Sequence, residues 1–171
     1  MIREINSGDY RQLMELYLHL HETNIPDCET AAETWEHILA DKNYHIVVAE
    51  EEGKLVSSCT VVIVPNLTRG PRPYARVENV VTHADYRGKG LATACLDRAR
   101  EIAVAAGCYN IALLTGSKLE STLATACNSA NKLRLCLRGG RLLTQPAESF
   151  QGENALAPAA PGAFSSWPDL L

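Results

Sequence analysis

The stretch Val77–Ala92, which reads VENVVTHADYRGKGLA, decides the fold. Its β-branched beginning, VENVV, predicts a buried strand that ends at the polar residues 83–85. Beyond the two glycines the apolar residues recur with helical spacing, which predicts a helix to about Gly107 with one face formed by Leu91, Cys95, Ile102 and Ala106. The chain is therefore expected to pass from a strand to a helix through a glycine-containing turn.

The turn Arg87-Gly88-Lys89-Gly90 is suited to binding an anion. A strand that turns sharply into a helix leaves backbone N–H groups and the positive end of the helix dipole without partners. Gly88 and Gly90 let the backbone approach an anion closely, and Arg87 and Lys89 add positive charge. The spacing fits neither a Walker loop nor a G-x-G-x-x-G turn, so the sequence predicts a phosphate site of another kind.

This turn matches the [QR]-x-x-G-x-[GA] signature of the GNAT acetyltransferases, with Arg87, Gly90 and Ala92 at its three defined positions. The sequence also resembles the family at residues 55–64, read as the preceding strand, and at residues 111–117, read as the following one. The resemblance implies an α/β fold with a central mixed sheet flanked by helices. It further implies that the central strands splay apart and bind acetyl-CoA, the expected co-substrate.

The resemblance also implies which residues contact acetyl-CoA. A backbone N–H near Val80 or Val81 would hold the acetyl carbonyl, with Val80 as the oxyanion donor. The pyrophosphate would lie on the N–H groups of Arg87, Gly88, Lys89, Gly90, Leu91 and Ala92, and Ser117 would reach the cofactor as well. Most of these roles are performed by the backbone, so side-chain identity matters chiefly at the glycines.

Glu78 is the candidate general base, acting through water, because the resembling family often has a carboxylate at this point of the strand. An alternative interpretation is a glutamate on the strand face that is neutralised by Arg76 or by an arginine of the nearby loop. Both interpretations stay open at this point.

The rest of the sequence predicts the elements that surround this stretch. Apolar patterning predicts strands at residues 2–5, 44–50, 55–64 and 109–115, and helices at residues 10–20 and 30–40. In the resembling family, helices between the first two strands build much of the acceptor pocket. The proline-rich loop at residues 65–73 is either a lid over the acceptor or a solvated connector.

The sequence departs from the family pattern at about residue 124. The family usually has a Phe-Tyr pair here, whose tyrosine protonates the coenzyme thiolate, but this chain has Thr125 and Ala126. Residues 133–140 could supply one more strand, and beyond residue 144 the composition is rich in Ala, Pro, Gly and Ser. We therefore expect an acetyltransferase domain at residues 1–143, atypical from about 124, and a tail at residues 144–171.

Three explanations of this departure remain: a lineage-specific ending, a C-terminal segment swapped with a second copy, or a change of coding frame. We favour the frame change, because the departure falls abruptly inside a helix whose first half fits the family. A sheet that its own C-terminal segment cannot complete would leave a strand edge open, so a homodimer is also expected.

Length and composition set the broad class. The 171 residues fit one domain, and a net charge of −4 argues against a nucleic-acid partner. No apolar run approaches 18 residues, and the N-terminus lacks a signal peptide's apolar segment, so no membrane partner and a cytoplasmic location are expected. The six cysteines form no C-x-x-C pair and are expected to be reduced and buried, and no metal site is expected.

The function predicted from these features is transfer of an acetyl group from acetyl-CoA to a primary amine of a small molecule or a protein, by direct attack in a ternary complex. The alternative is a non-catalytic or impaired acyl-CoA-binding homologue, because the usual tyrosine is absent. A nucleotide-phosphate module unrelated to acyl transfer is a third class.

Overall fold

The strands form one mixed sheet in chain order. The computed structural model describes residues 1–20, 24–26, 28–115, 134–137 and 142–143. Its seven strands are β1 (Ile2–Glu4), β2 (Tyr44–Glu51), β3 (Lys54–Val64), β4 (Tyr74–Thr82), β5 (Ile111–Thr115), β6 (Arg134–Leu137) and β7 (Leu142–Leu143). Neighbouring strands pair antiparallel except for β4 with β5 and β5 with β6, which are parallel.

Three α-helices accompany the sheet: α1 (Tyr10–Tyr17), α2 (Glu29–Ala40) and α3 (Leu91–Ala105). Short 3₁₀ turns occur at Ser7–Asp9, Leu18–Leu20 and Ala84–Tyr86. In the described part of the chain, none of the helices is long and apolar enough to cross a membrane.

α3 packs against one face of the sheet. Its buried residues, spaced three and four apart, are Cys95, Leu96, Ala99, Ile102 and Ala103. They join the inward-facing side chains of β2 to β5 in one core cluster. Parallel pairing needs such a crossover helix, and α3 supplies it between β4 and β5.

The end of α3 confirms one expectation and corrects another. Gly107 adopts φ 72°, and the N–H groups of Gly107 and Cys108 donate to the carbonyls of Val104 and Ala103 at 2.9 and 3.0 Å. This is a Schellman ending with glycine at C′. Ala106, expected on the buried face, is exposed, because the helix has already ended and Cys108 takes the buried position.

α1 and α2 cover the opposite face. Leu13, Leu16 and Trp35 are buried there in a second core cluster with Ile46, Val48, Leu55 and Val81 of the sheet. The expected first helix changes to a 3₁₀ turn after Tyr17. Two layers of helices thus enclose the sheet, as the α/β fold class predicts.

Two further features of the sheet differ from the expectations. β5 begins at Ile111 and not at Tyr109, because the Tyr109 N–H donates to the carbonyl of Pro73 outside the sheet (2.9 Å). Where one C-terminal strand was expected, the structure has β6 and β7. Ser117, Thr125, Ala126 and the expected tail lie outside the described residues.

The first turn of the domain is held by a partly buried ion pair. The Arg3 guanidinium donates two hydrogen bonds to the Asp9 carboxylate, at 2.6 and 2.9 Å, and one to Glu50 at 2.8 Å. Asp9 also accepts from the Asn6 N–H at 2.7 Å, and the Asn6 side chain accepts from the Gly8 N–H, so Asn6 is the N-cap of this turn. The Arg3 hydrogen bonds lower the pKa of Asp9, although burial opposes them.

Candidate active site

β4 contains a bulge at Asn79. Glu78 pairs with Thr60 and Val81 pairs with Ser58, so two residues of β4 stand opposite one residue of β3. Asn79 adopts φ 51°, in the left-handed region, which asparagine tolerates better than most non-glycine residues. The bulge lies between the candidate base Glu78 and the candidate oxyanion donor Val80.

The bulge reverses the side to which the backbone N–H groups of β4 point. Before it, the Ala75 N–H donates to the Asn110 carbonyl on the β5 side (2.9 Å). After it, the His83 N–H donates to the Val56 carbonyl on the β3 side (2.9 Å). Residues 75 and 83 would point to the same side of an uninterrupted strand, because the direction alternates along the chain. By the same alternation, the N–H of Val80 is directed toward β5 and that of Val81 toward β3.

β4 and β5 separate at this end of the sheet. Their parallel pairing is confined to Ala75–Val77 of β4 and Ile111–Leu113 of β5. Both strands nevertheless continue, β4 to Thr82 and β5 to Thr115. The expected splay of the two central strands is therefore confirmed, and the Val80 N–H faces the opening between them.

The glycine turn follows the 3₁₀ turn at Ala84–Tyr86, and its last residue, Gly90, is the N-cap of α3. Gly88 and Gly90 have φ 77° and 76°, and a Cβ added at either would meet no protein atom within 4 Å. In the described part of the chain, the N–H groups of Gly88, Lys89 and Gly90 form no hydrogen bond. Those of Leu91 and Ala92 lie in the first turn of α3, where a helix offers them no acceptor. These donors around an open concavity fit the pyrophosphate of acetyl-CoA.

The two cations of the turn stay beside it. The Arg87 Nε donates to the carbonyl of Thr82 at 3.3 Å. The Lys89 Nζ lies 4.5 Å from the centre of the Tyr86 ring and 3.8 Å from a carboxylate oxygen of Glu51. These contacts are long and exposed, so the side chains of Arg87 and Lys89 can turn to a bound phosphate at small cost in free energy.

Glu78 forms an ion pair with Arg76, two residues before it on the same face of β4. This is the contact that the alternative interpretation predicts. The carboxylate is still about one-third exposed, and its charge, after burial, helps to raise the pKa of Tyr44. Glu78 therefore lies beside Tyr44, one of the residues that line the cavity described next.

A cavity of about 380 Å³ lies between α1, α2 and the sheet. Four aromatic side chains line it, Tyr10, Tyr17, Trp35 and Tyr44, and Asn79 of the bulge lines it from β4. The expectation that the first two helices face an acceptor site did not name these aromatic residues. Their spacing on the inward faces of the helices is equally typical of an ordinary core, so the sequence offered no separate signal.

Ser117, an expected cofactor contact, lies outside the described residues. Among the described residues there is no cluster of three or more His, Cys, Asp or Glu side chains that could hold a metal ion. The chemistry available at the described site thus consists of backbone donors, one carboxylate and an aromatic cavity.

The fold and the glycine turn before α3 indicate that the protein is an acyltransferase. The model of the acetyltransferase (GNAT) family matches residues 10–124, more than half of the chain. The chain therefore belongs to the GNAT family of acetyltransferases.

Three similar proteins illustrate the relationship. A glucosamine 6-phosphate N-acetyltransferase of Trypanosoma brucei brucei is 38% identical over 66 residues, which are 39% of this chain and only 45% of that protein. A provisionally named acetyltransferase of Agrobacterium tumefaciens is 38% identical with a TM-score of 0.69, over 75% of this chain and 90% of that one. The glucosamine-6-phosphate N-acetyltransferase of Arabidopsis thaliana is 26% identical with a TM-score of 0.67, over 77% of this chain and 92% of that one.

Proposed function

We propose that this protein transfers an acetyl group from acetyl-CoA to a primary amine of a small molecule or a protein, by direct attack in a ternary complex. One observation carries the proposal: β4 leaves β5 after Val77, and a 3₁₀ turn at Ala84–Tyr86 joins the end of β4 to the glycine turn before α3. The side of β4 that faces β5 consequently contains the bulge and the opening between the two strands, and the glycine turn follows at its end. A thioester bound along this side of β4 would have its pyrophosphate on the turn and its acetyl group near the bulge.

Acetyl-CoA supplies the activated acetyl group in this reaction. The N–H groups from Arg87 to Ala92 would hold its pyrophosphate, and the Val80 N–H would stabilise the negative charge that develops on the acetyl oxygen. Val81 is the weaker candidate for that second role, because its carbonyl already accepts from the Ser57 hydroxyl at 2.8 Å and its N–H points to β3. Ser117 is proposed as a further cofactor contact from the sequence resemblance alone.

Glu78 would accept the proton of the amine through a water molecule. Its carboxylate contacts Arg76 and lies beside Tyr44, which lines the cavity. With Ala126 where the family usually has a tyrosine, water would protonate the leaving thiolate. Since general acid catalysis contributes about 10²- to 10⁴-fold, turnover would be slowed but not abolished.

The test combines two measurements on one sample of the full chain. Calorimetric titration with acetyl-CoA measures cofactor binding, and release of free thiol measures transfer to a panel of amines that includes D-glucosamine 6-phosphate, the acceptor in two relatives' names. Binding followed by thiol release is the expected result. Binding without transfer to any amine would favour the acyl-CoA-binding alternative, and absence of binding would refute the assignment of the glycine turn.

We further propose that the protein works in a reducing compartment such as the cytoplasm. The four cysteines whose side chains are described, Cys28, Cys59, Cys95 and Cys108, are unpaired, and burial raises the pKa of Cys95 and of Cys108 to about 11.

The homodimer and the domain boundary at residue 143 stay predictions. Sedimentation equilibrium would check the dimer.

A further inference from the structure

The cavity beside the bulge indicates which class of amine the protein acetylates, if the proposed function holds. We infer that the acceptor is a primary amine carried on an aromatic or bulky apolar body, and not a sugar phosphate or a polycation. The amine would lie at the bulge, and the apolar body would lie between α1 and α2.

The aromatic walls present carbon to the cavity because their polar atoms are already bonded to the protein. The Tyr10 hydroxyl donates to the carbonyl of Pro26 at 2.6 Å, and the Trp35 Nε1 donates to the carbonyl of Ser7 at 3.4 Å. The two rings meet edge to face, with centroids 5.4 Å apart. A third ring placed against this pair on the cavity side gains further edge or stacking contacts.

The inner wall is equally uncharged. The Tyr17 hydroxyl lies 3.5 Å from the Thr60 hydroxyl, and burial raises the pKa of both Tyr17 and Tyr44, so their phenols stay neutral at physiological pH. Leu13 and Ile46, almost fully buried, complete this wall with aliphatic carbon. A volume of about 380 Å³ is at the small end of the range for ligand pockets, which suits an amine with one or two rings.

Charge argues against the acceptors named for the relatives. None of the described residues that line the cavity is Lys, Arg, His, Asp or Glu. A phosphate dianion placed among these residues would lose its hydration without gaining a cation, and the ammonium groups of a polyamine that lie away from Glu78 would lose theirs without gaining a carboxylate. Aromatic rings attract cations, but the aliphatic part of the wall does not repay their dehydration.

The position of the bulge gives the cavity a direction. Asn79, which supplies its polar contact on β4, lies between Glu78 and Val80 in the chain. The amine end of the acceptor therefore belongs at the bulge, where the proposed base and the proposed oxyanion donor lie, and the apolar body belongs among the aromatic walls.

The test uses the full chain and three probe amines: 2-phenylethylamine, D-glucosamine 6-phosphate and spermidine. With saturating acetyl-CoA, we expect kcat/KM for 2-phenylethylamine to exceed that for either of the other two amines at least tenfold. Separately, calorimetric titration of 2-phenylethylamine into the protein saturated with CoA measures the cavity without any turnover.

A matched pair of variants locates the effect. Ala31 lines the cavity, whereas Ala32, its neighbour on α2, is exposed and does not. Ala31→Phe fills the cavity and should raise KM for 2-phenylethylamine about tenfold or more, since pockets discriminate even single methylene groups. Ala32→Phe should leave that KM unchanged, and both variants should retain the acetyl-CoA affinity of the unmodified protein, which shows that they fold.

The outcomes separate this inference from the proposed function. Transfer to D-glucosamine 6-phosphate or spermidine with no binding of 2-phenylethylamine would overturn the inference and leave the proposed function standing. Binding of 2-phenylethylamine that Ala31→Phe abolishes, with no transfer to any amine, would support the cavity assignment and overturn the transferase. An unchanged KM or affinity in Ala31→Phe would overturn the inference in either case.

Discussion

Glu78 is placed between two partners, Arg76, which it contacts, and the amine that the proposed reaction deprotonates. If it is the general base, Glu78→Gln should lower kcat by about 10²- to 10⁴-fold, because an amide accepts no proton at neutral pH. The KM for acetyl-CoA should change little, since the cofactor edge does not use this side chain. Steady-state kinetics at several acetyl-CoA concentrations would measure both parameters.

Arg76→Gln is the control that separates the two interpretations. It breaks the same ion pair but leaves the carboxylate in place. Turnover should therefore fall far less than in Glu78→Gln. Equal losses in the two variants would mean that Glu78 serves only to hold Arg76.

The ion pair of Asp9 should make the free energy of unfolding depend on pH. The Asp9 side chain is 7% exposed and bonded to Arg3, which is 23% exposed and also pairs with Glu50, so Asp9→Asn should destabilise the protein by about 1.5–3 kcal/mol, as expected when hydrogen bonds to a charged group are lost. Because the pKa of Asp9 is lower in the folded than in the unfolded chain, its stabilisation is complete above pH 4 and disappears as the pH falls through the lowered value.

Urea unfolding of the unmodified protein and of Asp9→Asn at pH 7 and pH 2.5 would check this. The difference between the two free energies of unfolding should be large at pH 7 and smaller at pH 2.5. A difference that does not depend on pH would show that the Asp9 charge contributes nothing.

The bulge in β4 should be stable only while Asn79 keeps its left-handed backbone conformation. Asn79→Gly keeps the left-handed conformation without strain, whereas Asn79→Val forces a β-branched residue to φ 51° and should cost about 1–2 kcal/mol more. Valine favours the extended conformation, so we expect it to weaken the bulge and raise the KM for acetyl-CoA relative to the glycine variant. Denaturation midpoints and kinetics of both variants would test this, and identical behaviour would contradict it.

The glycine turn and the other end of α3 offer a matched comparison. Gly90 and Gly107 both have φ above 70° and open space at the Cβ position. Substitution by alanine should therefore destabilise the protein similarly, by about 1 kcal/mol, at either site. Only Gly90→Ala should weaken acetyl-CoA binding, by about tenfold, as measured by calorimetry. A comparable loss in Gly107→Ala would attribute the effect to α3 and not to the turn.

The sequence predicted the elements whose signals are local. The strand before the turn and the glycines at both ends of α3 follow from residue type and spacing. The bulge at Asn79 could not be predicted in this way, because it depends on the register between β3 and β4, which are paired across a loop. The prediction that Ala106 lies on the apolar face of α3 was wrong, because a periodic pattern does not show at which residue a Schellman ending stops the helix.

For the whole molecule, the conformation of the glycine turn could be predicted from the sequence and the cavity could not. The turn is a contiguous segment with its own motif. The cavity combines α1, α2, β2 and the bulge, whose aromatic residues look like core residues until the packing is known.

The C-terminal departure makes a prediction about the gene. If a frame change replaced the usual ending, another reading frame downstream of codon 124 should encode a helix with a Phe-Tyr pair and a following strand. The family model stops matching at residue 124, which agrees with this hypothesis without establishing it. Translation of the three frames would decide, and the idea fails if none restores an aromatic-containing helix and strand.

The two core clusters on opposite faces of the sheet have no buried residue in common. Residues far apart and without shared partners contribute independently to stability, so substitutions on the α1–α2 face hardly disturb the α3 face. Substitutions that reshape the cavity on the α1–α2 face can therefore accumulate without loosening the packing of α3. The sheet acts as a partition that lets one half of the molecule change while the other keeps its packing.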